Sequence, residues 1–152
     1  MAQELVIRTA ERGDAAVIAG FNIVVAAETE GKQLDEAVAA KGAVGLFDKP
    51  QYGFYIVAEK AGELVGSLMI TYEWSDWRNG VYWWIQSAYV KPEFRGVGVF
   101  TAIYEYVRAR AKEQAGVCGL RLYVEKENAT AQRLYERLGM IEKSYKVYEE
   151  SF

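Results

Sequence analysis

Two stretches of the chain carry residues whose types and spacing suit chemistry on a charged ligand. The first is Val90-Lys-Pro-Glu-Phe-Arg95-Gly96-Val-Gly98-Val-Phe100. A strand ends there, Pro92 breaks it, and a glycine loop opens directly into a helix. Glycine lets backbone approach a ligand closely because no Cβ intervenes. Free N–H groups at a helix N-terminus, with its positive dipole end, make an anion site. Lys91 and Arg95 add positive charge, so the ligand that fits is a phosphate or pyrophosphate. The bland reading of a glycine pair is a turn that uses glycine for geometry alone. The second stretch is Val124-Glu-Lys-Glu-Asn128-Ala-Thr-Ala131-Gln-Arg-Leu134-Tyr135-Glu-Arg-Leu-Gly139-Met140. Its Ala131, Leu134, Tyr135 and Leu138 share one helical face, and Gly139 follows as a cap. A phenol such as Tyr135 is neutral at pH 7 and can donate a proton. By periodicity alone, Tyr135 reads as a core aromatic.

Composition removes several alternatives. The chain has no histidine, which excludes a histidine base, a Ser-His-Asp or Cys-His site, and the commonest metal ligand. No metal is expected. Cys118 is the single cysteine, so there is no internal disulfide and no CxxC knuckle. It has no histidine partner and reads as a small core residue rather than a nucleophile. A Walker A loop needs Gly-Lys-Ser/Thr after its glycines, which is missing. A dinucleotide fingerprint needs a third glycine where Thr101 stands. A net charge of −3 gives no footprint for nucleic acid. No apolar run reaches the ~18–20 residues that span a bilayer, so no membrane partner is expected. The start, Met1 to Arg8, lacks the basic and apolar regions of a signal peptide. The expected location is therefore cytoplasmic, and the low cysteine count agrees. With 152 residues, half of them hydrophobic, one domain over 1–152 is expected.

The elements that must hold these stretches follow from patterning. Leu5 to Thr9 reads as a first strand. Asp14 is a good N-cap for a helix carrying Val17, Ile18, Phe21, Val24 and Val25, closed by Gly31. A second helix from about Asp35 to Phe47 ends before Pro50. Phe54–Glu59 and Leu64–Tyr72 form a hairpin around Lys60 to Glu63. Asn79-Gly80, with the preference of a type I′ turn for positive φ at both positions, joins a strand ending near Arg78 to one over Val81–Val90. A long helix then carries Val99, Ile103, Tyr106 and Val107, closed by Gly116. Leu120–Val124 is a short strand, the Tyr135 segment a helix, and Ile141–Glu149 a final alternating strand. Helices between strands of one sheet imply parallel neighbours. The fold class is therefore α/β (α+β): an N-terminal antiparallel meander, then strand-helix-strand-helix-strand, in one mixed sheet with helices on its faces.

Arg95-x-x-Gly98 followed by Asn128-x-x-Ala131-x-x-Leu134-Tyr135-x-x-x-Gly139-Met140 resembles the GNAT superfamily of N-acetyltransferases. The order of elements agrees over nearly the whole chain, and the resemblance implies a mixed central sheet of about six to seven strands with about four helices. It also implies acetyl-CoA as co-substrate. Main-chain groups of Ala88, Tyr89 and Val90 would hold the pantetheine arm like an added strand. Arg95, Gly96, Val97, Gly98, Val99, Phe100 and Thr101 would cradle the pyrophosphate. Asn128 would bond the pantetheine, and Tyr135 would protonate the departing thiolate. The transfer would be direct, in a ternary complex, to a primary amine of a small molecule. Phe100 departs from the usual Gly/Ala of that loop, so its side chain must turn away from the pyrophosphate or fill a cavity at the helix start.

The general base is open. An amine with a pKa near 10 must lose a proton before attack. The region Trp83 to Ser87 holds no acid, which leaves Glu73, Glu28 through water, or a water chain to bulk solvent. Of these Glu73 ranks first, although a solvent-facing strand-end carboxylate is the bland alternative. Trp74, Trp77, Trp83 and Trp84 crowd one hairpin with Tyr72 and Tyr82. Alternation puts Trp83 and Trp84 on opposite faces, so one of the two enters the core. The others suit cross-strand packing, a homodimer interface, or a wall for a cationic acceptor. Trp74, Trp84 and Glu28 are the candidate acceptor-binding residues. The competing function is a non-catalytic acyl-CoA-binding or regulatory domain on the same fold. A nucleotide-binding oxidoreductase would need the absent third glycine.

Overall fold

The computed structural model describes residues 4–152; residues 1–3, part of the stretch read above for a targeting signal, lie outside it. Five strands form one sheet in the order β1 (Leu5–Thr9), β2 (Gly53–Lys60), β3 (Glu63–Ser75), β4 (Gly80–Val90), β5 (Val117–Leu122). The first three pairings are antiparallel and β4–β5 is parallel. Helices α1 (Ala15–Glu30) and α2 (Glu36–Asp48) precede the meander, α3 (Val99–Glu113) links β4 to β5, and α4 (Ala129–Arg137) follows β5. Among the described residues no helix is long and apolar enough to cross a membrane.

Alternation along the strands divides the core in two. Ile56, Ala58, Leu68, Ile70, Trp83 and Ile85 face α3, whose Val99, Ile103, Tyr104, Val107 and Ala111 share one buried stripe. Tyr55, Val57 and Tyr89 face the other way, against Ile18, Ala19 and Phe21 of α1 and Ala43 of α2. Burying one such aliphatic side chain contributes roughly 1.5–3 kcal/mol. The fully buried Ile103 ties α3, and with it the glycine loop at the helix start, to the sheet.

Several local outcomes differ from the sequence reading. Asp14 begins α1 but does not cap it. Its carboxylate instead takes two hydrogen bonds from Arg8, at 2.8 and 3.1 Å, and one from the Glu11 N–H. The Arg8 guanidinium holds the Asp14 carboxyl below its ordinary range. The Asn79-Gly80 pair is not a two-residue type I′ turn. β3 runs on to Ser75, which pairs with Gly80, and only Asn79 has positive φ, at 48°. Gly80 is needed for space: a Cβ there would lie 2.9 Å from the Gly116 carbonyl oxygen. β5 starts three residues before Leu120, because Val117 pairs with Val81.

The largest difference is at the C-terminus. The sheet has five strands, fewer than the six to seven expected, and the strand expected over Ile141–Glu149 does not form. Alternation is a statement about a surface to be covered. Among the described residues no neighbouring strand pairs with this segment, so the ladder that would fix it is missing.

Candidate active site

β4 is two strands in one. Its first half, Val81–Ile85, is zipped to β5 as far as Leu122. There β5 ends, and the edge of Gln86–Val90 that faces it carries no ladder. The opposite edge stays bonded to β3, with a bulge between Ser67 and Met69. Ser87 takes the extra residue at φ 52°, a left-handed conformation that non-glycine residues adopt only under constraint. The result is an open stretch of main chain that includes Ala88, Tyr89 and Val90. At ~3.3 Å per residue its length is about 17 Å, enough for an extended polyamide arm to add like a strand.

Above this edge lies the glycine loop. Gly96 and Gly98 have φ of 77° and 89°, and Gly98 is the residue before α3. A Cβ on either would meet no protein atom within 4 Å, so the requirement is backbone conformation and a clear approach. The first amide of this region bonded to the backbone is that of Ala102, to the Gly98 carbonyl at 3.0 Å. The N–H groups of Gly96, Val97, Gly98, Val99, Phe100 and Thr101 have no hydrogen-bond partner among the described residues. They sit at the positive end of a helix of 15 residues. This cradle fits a pyrophosphate.

Arg95 is held beside the cradle rather than over it. Its Nε donates to the Val90 carbonyl at 2.7 Å, its Nη2 to Glu28 Oε2 at 2.8 Å, and its guanidinium stacks 5.5 Å from the Tyr89 ring. Glu28, at the end of α1, therefore stands on Arg95 at the mouth of the loop. Lys91 is drawn away by an ion pair with Glu63.

Helix α4 is brought to the start of α3 by the contact of Tyr135 with Phe100. Asn128 caps this helix: its Oδ1 accepts from the Ala131 N–H at 3.1 Å. The amide nitrogen is left free and exposed, available to donate to a ligand. Tyr135 is half-buried, with its ring centroid 5.9 Å from that of Phe100. Burial pushes the Tyr135 phenol above its ordinary value, so it is protonated at neutral pH. Phe100 also packs near Tyr104, at 6.5 Å. Its ring thus joins α3 to α4, and its backbone N–H stays in the cradle.

A second patch lies on the sheet face that α1 and α2 leave partly uncovered. Cross-strand register places Thr71 opposite Trp84, Glu73 opposite Tyr82, and Trp84 opposite Arg121 of β5. Glu73 accepts from Arg121 and, at 3.3 Å, from Trp84 Nε1. Arg121 stacks 3.7 Å from the Tyr82 ring, and Trp84 packs on Tyr123 at 4.6 Å. Gln86 donates to Thr71 Oγ1 at 2.7 Å. Trp83 goes into the core, edge-on to Phe54 at 5.2 Å. Trp74 lies one residue out of phase with Glu73, on the opposite face from Trp84, and is exposed. The structure therefore brings Glu73 and Trp84 together and brings neither Trp74 nor Glu28 to them. Arg121, Tyr123, Thr71 and Gln86 escaped the sequence reading. Only the β4–β5 register reveals Arg121, and nothing in one sequence sets that register. Among the described residues no cluster of three or more His, Cys, Asp or Glu side chains could hold a metal ion.

Comparison with known proteins bears on the fold and the family. No curated protein matches the chain. A possible acetyltransferase from Clostridium difficile 630 superposes with a TM-score of 0.90 at 43% identity, over 97% of each chain. A predicted acetyltransferase from Clostridium acetobutylicum, solved with acetyl-CoA, gives 0.78 at 15% identity over 97% of this chain and 96% of that one. A ribosomal-protein-alanine N-acetyltransferase from Brucella melitensis biovar Abortus 2308 gives 0.77 at 18%, over 98% of this chain and 100% of that one. The profile of the acetyltransferase (GNAT) family matches residues 20–140, from the middle of α1 to the anchor of α4. With the profile matched over most of the chain and a possible acetyltransferase 43% identical over 97% of it, the chain belongs to the GNAT acetyltransferase family.

Proposed function

We propose that the protein transfers an acetyl group from acetyl-CoA to a primary amine of a small molecule, directly and within a ternary complex. The observation that carries this reading is the continuity of the unladdered edge of Gln86–Val90 with the unpartnered amides of Gly96–Thr101. One binds an extended polyamide arm and the other a pyrophosphate. A ligand that joins the two chemistries is coenzyme A.

When bound, acetyl-CoA supplies a thioester carbonyl open to attack and a thiolate as leaving group. The chain's residues then divide the work. Ala88, Tyr89 and Val90 align the arm, and the amides of Gly96–Thr101 hold the phosphates with Arg95 beside them. Asn128 donates its free amide to the pantetheine. Tyr135 donates a hydrogen bond from its phenol to the sulfur as the C–S bond breaks. A thiol ordinarily titrates at about 8.5, below a phenol. Burial raises Tyr135 further, so it serves as a hydrogen-bond donor that stabilises the thiolate. The ammonium form of the acceptor loses one proton before attack, and Glu73 remains the first choice for accepting it, by water, through Oε2. The second proton, lost by the nitrogen as the amide forms, completes the free thiol. Trp84 offers its face to the ammonium form of the acceptor.

A second reading, acyl-CoA binding without turnover, rests on one observation: Glu73 Oε1 is already engaged by Arg121 and Trp84. Thermal shift and thiol release separate the two. Acetyl-CoA binds the native state and so raises Tm. No shift at millimolar acetyl-CoA overturns both readings. A shift without thiol release across a panel of amines leaves the second.

A further inference from the structure

The segment after α4 is exposed in a way its composition does not suit. No main-chain group from Ile141 to Phe152 hydrogen-bonds to the backbone of another described residue. Ile141, Tyr145, Val147, Tyr148 and Phe152 are all exposed, the least of them, Val147, at 69%. Yet in an extended chain Ile141, Tyr145 and Val147 share one face, interrupted only by Lys143, opposite Glu142, Ser144, Lys146 and Tyr148, close to the pattern of a half-buried strand. Just before it, Met140 is fixed: its N–H donates to the Tyr135 carbonyl at 3.0 Å, and its side chain packs on the core.

The sheet has a matching vacancy. β5 is bonded to β4 along one edge, and among the described residues no strand lies on the other. β5 has six residues, about 20 Å of edge at ~3.3 Å each. The nine residues from Ile141 to Glu149 reach about 30 Å by the same rise, so they span it with length to spare. A chain that shows both an unpartnered strand sequence and an unpartnered strand edge is complementary to a second copy of itself. Reciprocal exchange of the two satisfies both and closes with two-fold symmetry.

We propose that two copies exchange their C-terminal segments, residues 141–149 of each adding a sixth strand to the free edge of the other's β5. The strand expected from the sequence then forms, but in the partner's sheet. On the acetyl-transfer reading there is a consequence for the site. β5 carries Arg121 and is followed by Tyr123, so the partner's strand walls the acceptor patch of each copy.

Light scattering on the eluting full chain tests this. The expected mass is twice 17.1 kDa. Val147→Pro removes a ladder N–H and should halve the mass. The substitution lies in a segment that supports nothing in its own chain, so far-UV circular dichroism should keep its helical signal. Deletion of 141–152 should halve the mass in the same way. A full chain that is monomeric at about 100 µM overturns the proposal, as does a dimer that persists in both variants. Cys118 on β5, the single cysteine, is exposed and not the core residue expected from the sequence, so it can separate exchange from folding back. A second cysteine at each position from Lys143 to Val147 should yield disulfide-linked dimers at one or more positions. Linked monomers, or no link at any of the five, overturn the exchange. A monomer that still releases thiol from acetyl-CoA overturns the exchange and leaves the acetyl-transfer reading standing.

Discussion

On the acetyl-transfer reading, the two sides of the proposed site are made of different material. The cofactor side is main chain: an unladdered strand edge and a run of free amides, placed by Ser87, Gly96 and Gly98 at positive φ. The acceptor side is side chain: Glu73, Trp84, Arg121, Tyr82, Tyr123, Gln86 and Thr71, bonded and stacked upon one another. A main-chain site depends on φ and ψ, so few residues specify it and most substitutions around it leave its donors in place. A side-chain site changes with every residue. Such a division would let an acceptor site change by substitution while the cofactor site is kept.

The contrast can be broken by experiment. Tyr135→Phe, on the cofactor side but acting by a side chain, should lower kcat by about 10²–10⁴-fold with little change in the Kd for acetyl-CoA. The ring still packs on Phe100, so Tm should hold. Because burial lifts the Tyr135 phenol, wild-type rate should not fall on the alkaline side through ionisation of this group until above its ordinary value. Wild-type turnover in the Phe variant would return Tyr135 to a core role.

Gly98→Ala tests the main chain itself. Holding a Cβ at φ 89° costs roughly 1–2 kcal/mol. If the loop relaxes instead, its amides rotate away. The Kd for acetyl-CoA, read by calorimetry, should rise about 10-fold, since 1.4 kcal/mol is a factor of ten. An unchanged Kd would mean the amides do not bind the phosphates.

Trp84→Ala should act on the other side only. Loss of a cation–π contact of about 0.5–2 kcal/mol should raise the KM for the amine by about 2–30-fold. The acetyl-CoA Kd should stay within about two-fold. A rise in both constants would show that the two sides are not separable.

Glu28→Gln is the smallest change. It frees Arg95 from a surface ion pair worth about 0.2–1 kcal/mol. Acetyl-CoA should then bind up to about five-fold tighter at low salt, and the gain should fade as salt is raised. Weaker binding would show that Glu28 positions Arg95 instead of competing for it.

What could be read from the sequence follows the same division. Glycine and proline report backbone geometry, so Pro92, Gly96 and Gly98 disclosed the loop, whereas the capping of α4 by Asn128 was not read from the sequence. Periodicity disclosed α3 and the strand pairs of the meander. Register was hidden. Parallel pairing of β4 and β5 followed from the helix between them, but that Trp84 lies opposite Arg121 did not. Trp74 and Trp84 are close in sequence, and only the pleat separates them onto two faces. Ile141–Glu149 has a strand's pattern without a strand's partner, because a pattern names the surface a segment wants and not the chain that supplies it.

The open upper half of β4 has a further cost for the protein without its ligand. A stretch of strand with unpaired amides and carbonyls is a template on which other chains can pair and precipitate. A bound pantetheine arm would cap that template. Acetyl-CoA, or coenzyme A lacking the acetyl group, should then act as a solubility agent. Turbidity at high protein concentration and mild heating should rise more slowly with the ligand than without it, in proportion to occupancy and with no dependence on turnover.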